Sequence, residues 1–96
     1  MAAYIIAHLE ITDPEPFGQY REQVPALIEK HGGRYLIRGG EAETLEGAWP
    51  VPRLVVIEFE SGEAAKRFYK SPEYQAILPL RLAGAKGDLA IVQGVP

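Results

Sequence analysis

Residues 3–11, Ala-Tyr-Ile-Ile-Ala-His-Leu-Glu-Ile, restrict the fold more than any other stretch of the chain. In an extended strand, successive side chains point to opposite faces. Ala3, Ile5, Ala7, Leu9 and Ile11 then form one wholly apolar face, which belongs on a core. Tyr4, Ile6, His8 and Glu10 form the other, a mixture of apolar and polar groups. The strand therefore calls for covering on one side and a lined cleft or packed partner on the other.

The rest of the chain supplies that covering. Asp13 offers an N-cap oxygen, and Pro14 suits the first helical position because its missing N–H has no partner there. Phe17, Tyr20, Val24, Leu27, Ile28 and His31 recur at helical spacing and make an apolar stripe. Pro25 interrupts that stripe, which predicts a kink or two shorter helices. Gly32-Gly33 supplies a C-cap. Arg34–Arg38 reads as the second strand, with Arg34, Leu36 and Arg38 facing away from Tyr35 and Ile37. After Gly39-Gly40, Glu41–Leu45 reads as a short strand or ribbon. Residues 47–52 form a proline-bounded loop around Trp49.

Arg53–Glu60 is the most apolar strand, through Leu54, Val55, Val56, Ile57 and Phe59; such a run suits a strand covered on both faces. Ser61 caps a helix with Ala64, Ala65, Phe68 and Tyr69 inward, and Ser71-Pro72 starts another helical piece. Pro79 lies within that piece. Gly84–Gly87 reads as a turn and Asp88–Val95 as the last strand.

The order strand, helix, strand, strand, helix, strand defines a ferredoxin-like α+β domain over residues 1–96, with an antiparallel four-stranded sheet. Right-handed crossovers put the first and third strands in the middle and both helical segments on one face. The helix-free face then carries Tyr4, Ile6, His8, Glu10, Leu54, Val56 and Glu58. Apolar groups in that setting mark an interaction surface, and a two-fold homodimer is the expected cover.

Composition excludes several classes of function. The net charge of −3, with basic residues scattered apart from Lys66, Arg67 and Lys70, gives no stripe for nucleic acid. Without cysteine there are no disulfides, thiolate nucleophiles or thiolate metal sites. No apolar run is long enough for a membrane span. The N-terminus enters a strand pattern directly, so a cytoplasmic location is expected. His8 and His31 lack ligand spacing, and His31 suits a helix C-terminus, so no metal or cofactor is expected.

The candidates for chemistry lie on the helix-free face. His8 could act as general base, with Glu58 on the neighbouring strand orienting it; the same pair could simply fix register. Arg34 and Arg38, with Arg53 or Arg81, could hold a carboxylate through bidentate contacts, or serve as edge-strand charges. Tyr4 shares a face with His8, and Trp49 suits an interface anchor or a lid.

The segments Ile11-Thr12-Asp13-Pro14, Gly32-Gly33-Arg34-Tyr35-Leu36-Ile37-Arg38-Gly39-Gly40, Leu45-Glu46-Gly47, Val56-Ile57-Glu58-Phe59 and Ser71-Pro72-Glu73-Tyr74 resemble a bacterial family, domain of unknown function 1330. The resemblance spans nearly the whole chain and implies a dimeric α+β barrel, two ferredoxin-like sheets facing each other around a shared interior. The wider superfamily includes cofactor-free monooxygenases, decarboxylases, isomerases, haem- and chlorite-handling proteins and members without known activity. The fold alone therefore selects no reaction. The leading expectation is a homodimeric small-molecule-binding or accessory protein whose pocket lies between sheet and partner and includes Tyr4, Arg38 and Trp49. The alternatives are a cofactor-independent monooxygenase, isomerase or lyase acting on a small anionic substrate, with His8 and Glu58 as catalytic residues, and a purely structural dimer with a packed interior.

Overall fold

The computed structural model describes all 96 residues. Its elements run β1 (Ala3–Ile11), α1 (Pro14–Lys30), β2 (Arg34–Arg38), β3 (Leu54–Phe59), α2 (Gly62–Lys70), α3 (Pro72–Gly84) and β4 (Ala85–Gln93). The four strands form one antiparallel sheet in the order β2-β3-β1-β4, as the crossover rule requires.

Alternation in β1 places Ala3, Ile5, Ala7 and Leu9 against the helices, where each is at most 4% exposed. Ile57 and Phe59 of β3 join them, and Val24 and Ile28 of α1, Ala64, Ala65 and Phe68 of α2, and Tyr74 and Ile77 of α3 close the core from above. Phe17 and Ala85 pack with Ala7 and Leu9 in a smaller cluster at one end. One sheet and one helical layer make a slab only 17 Å thick.

The caps work as the sequence suggests. Asp13 accepts from the Glu15 N–H, and Ser61 accepts from the Ala64 N–H. Ser71 serves two helices: its hydroxyl donates to the Phe68 carbonyl at 2.8 Å and accepts from the Tyr74 N–H at 3.2 Å. Gly33 N–H closes the end of α1 on the Ile28 carbonyl.

Several expectations are corrected. Helix α1 is one continuous helix through Pro25 and not the two shorter helices, since packing of Phe17, Val24 and Ile28 on the sheet outweighs one missing backbone bond. Helix α3 likewise runs unbroken past Pro79. Residues 41–45 join no ladder and belong to a long irregular connection from Gly39 to Arg53. Strand β4 begins at Ala85, directly after α3, instead of at Asp88. Gly87 has the sequence context of a turn residue, but it lies inside β4 opposite Leu9. A Cβ there would stand 1.8 Å from the His8 carbonyl oxygen, so glycine allows close approach of β1 at that point.

The last correction concerns β2. Arg34 pairs with Glu58, Tyr35 with Ile57, Ile37 with Val56 and Arg38 with Val55, which leaves Leu36 without a partner in a β-bulge. Arg34 and Ile37 therefore share the helix-free face, whereas Tyr35 and Arg38 face the helices. Arg34 and Arg38 are on opposite sides of the sheet.

Candidate functional site

The helix-free face is built as rows across the sheet. Ile37, Val56, Ile6 and Ala90 stand side by side from β2 to β4, an apolar row crossing every strand. On one side runs the row Arg34, Glu58, Tyr4 and Val92; on the other run Leu54, His8 and Asp88. Arg34 Nε donates to Glu58 Oε1 at 2.7 Å, and His8 Nε2 lies 2.8 Å from Asp88 Oδ2.

His8 and Glu58 are consequently not brought together. Tyr4 is opposite Glu58 and His8 is opposite Leu54, so four strand positions, roughly 13 Å, separate the two. Asp88 is the carboxylate that meets His8. Sequence pattern conceals it, because a strand taken to start at Asp88 has no defined register there. Tyr4 stays on the helix-free face between Glu58 and Val92. Trp49 is half exposed in the long connection and lines an open groove with Ile37, Val51 and Leu54.

A second recess lies on the other side of the sheet. A cavity of about 40 Å³ sits between the sheet and helices α1 and α3. Its floor is apolar, formed by Ile5, Ala7, Leu9, Val55, Ile57 and Leu89. Phe17, Tyr20 and Val24 of α1 roof it, and Tyr35, Arg21, Arg38, Arg53 and Arg81 complete the wall. Arg38 reaches this wall because the bulge at Leu36 turns it inward, and its guanidinium stacks over Tyr35, 4.7 Å from the ring centroid.

Each arginine arrives there for a local reason. The buried stripe of α3 is Tyr74, Ile77, Arg81 and Gly84, so Arg81 occupies a position that helical spacing reserves for the core. It is 8% exposed, and its Nε has no hydrogen-bond partner. Arg53 is in phase with Val55, Ile57 and Phe59, the helix-facing side of β3, and its buried Nε is also unpartnered. Its guanidinium lies beneath Gly39, where an added Cβ would come within 2.1 Å of Nη1. Arg21 follows Phe17 by one helical turn, and the Arg21 and Arg53 guanidinium carbons lie 5.6 and 5.8 Å from the Phe17 ring centroid. These are the residues that reading from sequence undervalues. The available signal is an arginine in phase with an apolar stripe.

The electrostatics follow from this crowding. Burial, then the neighbouring Arg21 and Arg38 charges, lower the Arg53 pKa from its ordinary value. Burial raises that of Tyr35, offset in part by Arg38 and Arg53. Tyr20 is pushed far above the usual phenol range by burial and by Tyr74, whose hydroxyl lies 3.0 Å from its own. Tyr20 therefore remains a neutral O–H donor. No Asp or Glu lines the cavity, and the ion pairs His8–Asp88, Lys30–Glu73 and Arg34–Glu58 involve none of its arginines. No three His, Asp or Glu side chains gather as metal ligands, and no helix is long and apolar enough to cross a membrane.

Sheet order and one-sided helices define a ferredoxin-like α+β fold. The family model for domain of unknown function DUF1330 matches residues 2–95, and the chain belongs to that family. Among solved structures, it is similar to a Rhodopseudomonas palustris protein of unknown function, at 15% identity and TM-score 0.79 over 99% of this chain and 83% of that one. It also resembles SnoaB, a cofactor-independent oxygenase from Streptomyces nogalater, at 10% identity and TM-score 0.67 over 99% and 94% of the two chains. A candidate antibiotic biosynthesis monooxygenase of Caulobacter crescentus aligns at 12% identity and TM-score 0.62 over 99% and 91%. At such identities the likeness establishes the fold alone. No curated protein matches the sequence.

Proposed function

We propose that the protein is a homodimer that binds a small organic molecule in the cavity between its sheet and helices α1 and α3. The observation that carries this reading is the wall of that cavity: apolar side chains on the floor, with two buried guanidinium Nε atoms aimed at no partner. Buried polar groups are nearly always satisfied, so these two Nε atoms call for a polar partner, and the adjoining void is where one would sit. The sequence pattern favours a pocket between sheet and partner; the cavity favours the helix side, and of the anion-holding candidates Arg38, Arg53 and Arg81 line it. Native mass spectrometry of protein purified from its own host tests the proposal. A retained small molecule that disappears in an Arg81→Met variant supports it, and a protein that never carries one, in either variant, counts against it.

The homodimer is supported by the outer face of the slab. An apolar row crossing the sheet, flanked by Leu54 and by Val92 at 45% exposure, forms a continuous patch of the kind that monomers seldom keep wet. Two such faces related by a two-fold axis cover each other.

A second reading, an enzyme of the cofactor-independent oxygenase, isomerase or lyase type, draws on the His8–Asp88 pair. Here Asp88 replaces Glu58 as the group that orients the imidazole, leaving Glu58 to hold Arg34. The similarity to SnoaB is compatible with this but rests on fold. Loss of turnover in His8→Ala with the dimer intact supports it, and unchanged turnover removes His8 as base.

A further inference from the structure

We infer that the cavity selects a carboxylate: a small organic acid whose apolar body lies on the sheet and whose carboxylate meets Arg81, Arg53 and the Tyr20 hydroxyl. The inference rests on the cavity being a ligand site and names the chemical class that the site takes.

The argument begins with charge. Arg21, Arg38, Arg53 and Arg81 converge on one space in a chain whose net charge is −3, and no carboxylate of the protein answers them. Three acidic side chains elsewhere in the molecule do pair with basic groups, so the cavity stands apart. Clustered like charges repel more strongly as water is excluded, and an anion among them removes that cost. Arg81, nine-tenths buried with an unpartnered Nε, is the group with most to gain. A guanidinium presents its donors as a planar fork that matches a carboxylate edge to edge. Tyr20 adds its one O–H as a donor, and the Tyr74 hydroxyl 3.0 Å away then donates to the Tyr20 oxygen.

The floor separates carboxylate from phosphate. Ile5, Ala7, Leu9, Val55, Ile57 and Leu89 offer no donors. A phosphate has oxygens on every side and would leave some of them facing hydrocarbon. Stripping water from those unpaired charged oxygens offsets what the remaining ones win from the guanidinium groups. A carboxylic acid has one polar end and one apolar end, and the cavity has the same polarity. The recess of about 40 Å³ has room for a carboxylate group but not for a whole acid, so seating the body on the floor requires the exposed Arg21 and Arg38 side chains at the rim to swing aside.

Isothermal titration of the purified full chain with butyrate and benzoate, their neutral amides butyramide and benzamide, and inorganic phosphate tests this. Saturable binding of an acid, at least tenfold tighter than its amide and than phosphate, is the expected result. Arg81→Met should weaken acid binding by roughly ten- to a hundredfold, the worth of one charged hydrogen-bonding partner. Arg53→Met provides the same readout if Arg81→Met does not fold. Equal affinity for acid and amide overturns carboxylate selection while leaving the small-molecule site standing. Preference for phosphate overturns it too. Acids and amides that both fail to bind overturn the inference and the ligand site together.

Discussion

At the residue scale, the informative side chains are those whose chemistry conflicts with their position. Arg81 stands in an apolar stripe, and without a ligand its buried charge costs stability. Arg81→Met should therefore raise the unfolding free energy of the free protein by about 1 kcal/mol or more, read from the urea midpoint at unchanged slope. A lower midpoint would mean that the guanidinium is satisfied in the folded state. Tyr20 gives a pH prediction. Its folded-state pKa lies above the ordinary value of about 10, so the unfolded chain releases the proton first. The associated stability is fully present below about pH 10 and declines as pH rises beyond it. In an alkaline titration followed by near-ultraviolet absorbance, Tyr20 should ionise only together with unfolding. Tyr20→Phe should remove that component.

At the element scale, much of the molecule can be read from pattern. The alternation of Ala3, Ile5, Ala7 and Leu9, the caps at Asp13, Ser61 and Ser71, and the order of strands and helices all follow local rules, and each is found in the structure. What escapes is register. One unpaired residue at Leu36 reverses the faces of Ile37 and Arg38 with no mark in composition, and Gly87 is a close-approach glycine that looks like a turn. Those two features hide the inward aim of Arg38 and the meeting of His8 with Asp88. The candidate site is thus visible in sequence as a set of arginines without its geometry. Ser71 supplies the test at this scale, because one hydroxyl ends α2 and starts α3. Ser71→Ala should cost about 1–2 kcal/mol in chemical denaturation, and it should blunt acid binding, since α3 carries Arg81. A cost near zero would show that water replaces the hydroxyl at both ends.

At the scale of the whole molecule, a slab 17 Å thick with helices on one side leaves its other side without a covering layer, the face on which the proposed dimer would form. Val56 lies within the apolar row, so Val56→Glu should convert a species of twice 10.6 kDa into one of 10.6 kDa in sedimentation at micromolar concentration. A wild-type protein already sedimenting at 10.6 kDa would refute the dimer. The unpaired Leu36 has a wider consequence. A strand counts in twos, and an odd insertion changes the parity of everything beyond it. The first half of β2 thus places Arg34 on the helix-free face, while the second half places Arg38 at the cavity on the reverse side. Deleting Leu36 would remove the bulge yet leave Ile37 outward and Arg38 inward, so the cavity wall and the helix-free face should both survive that edit.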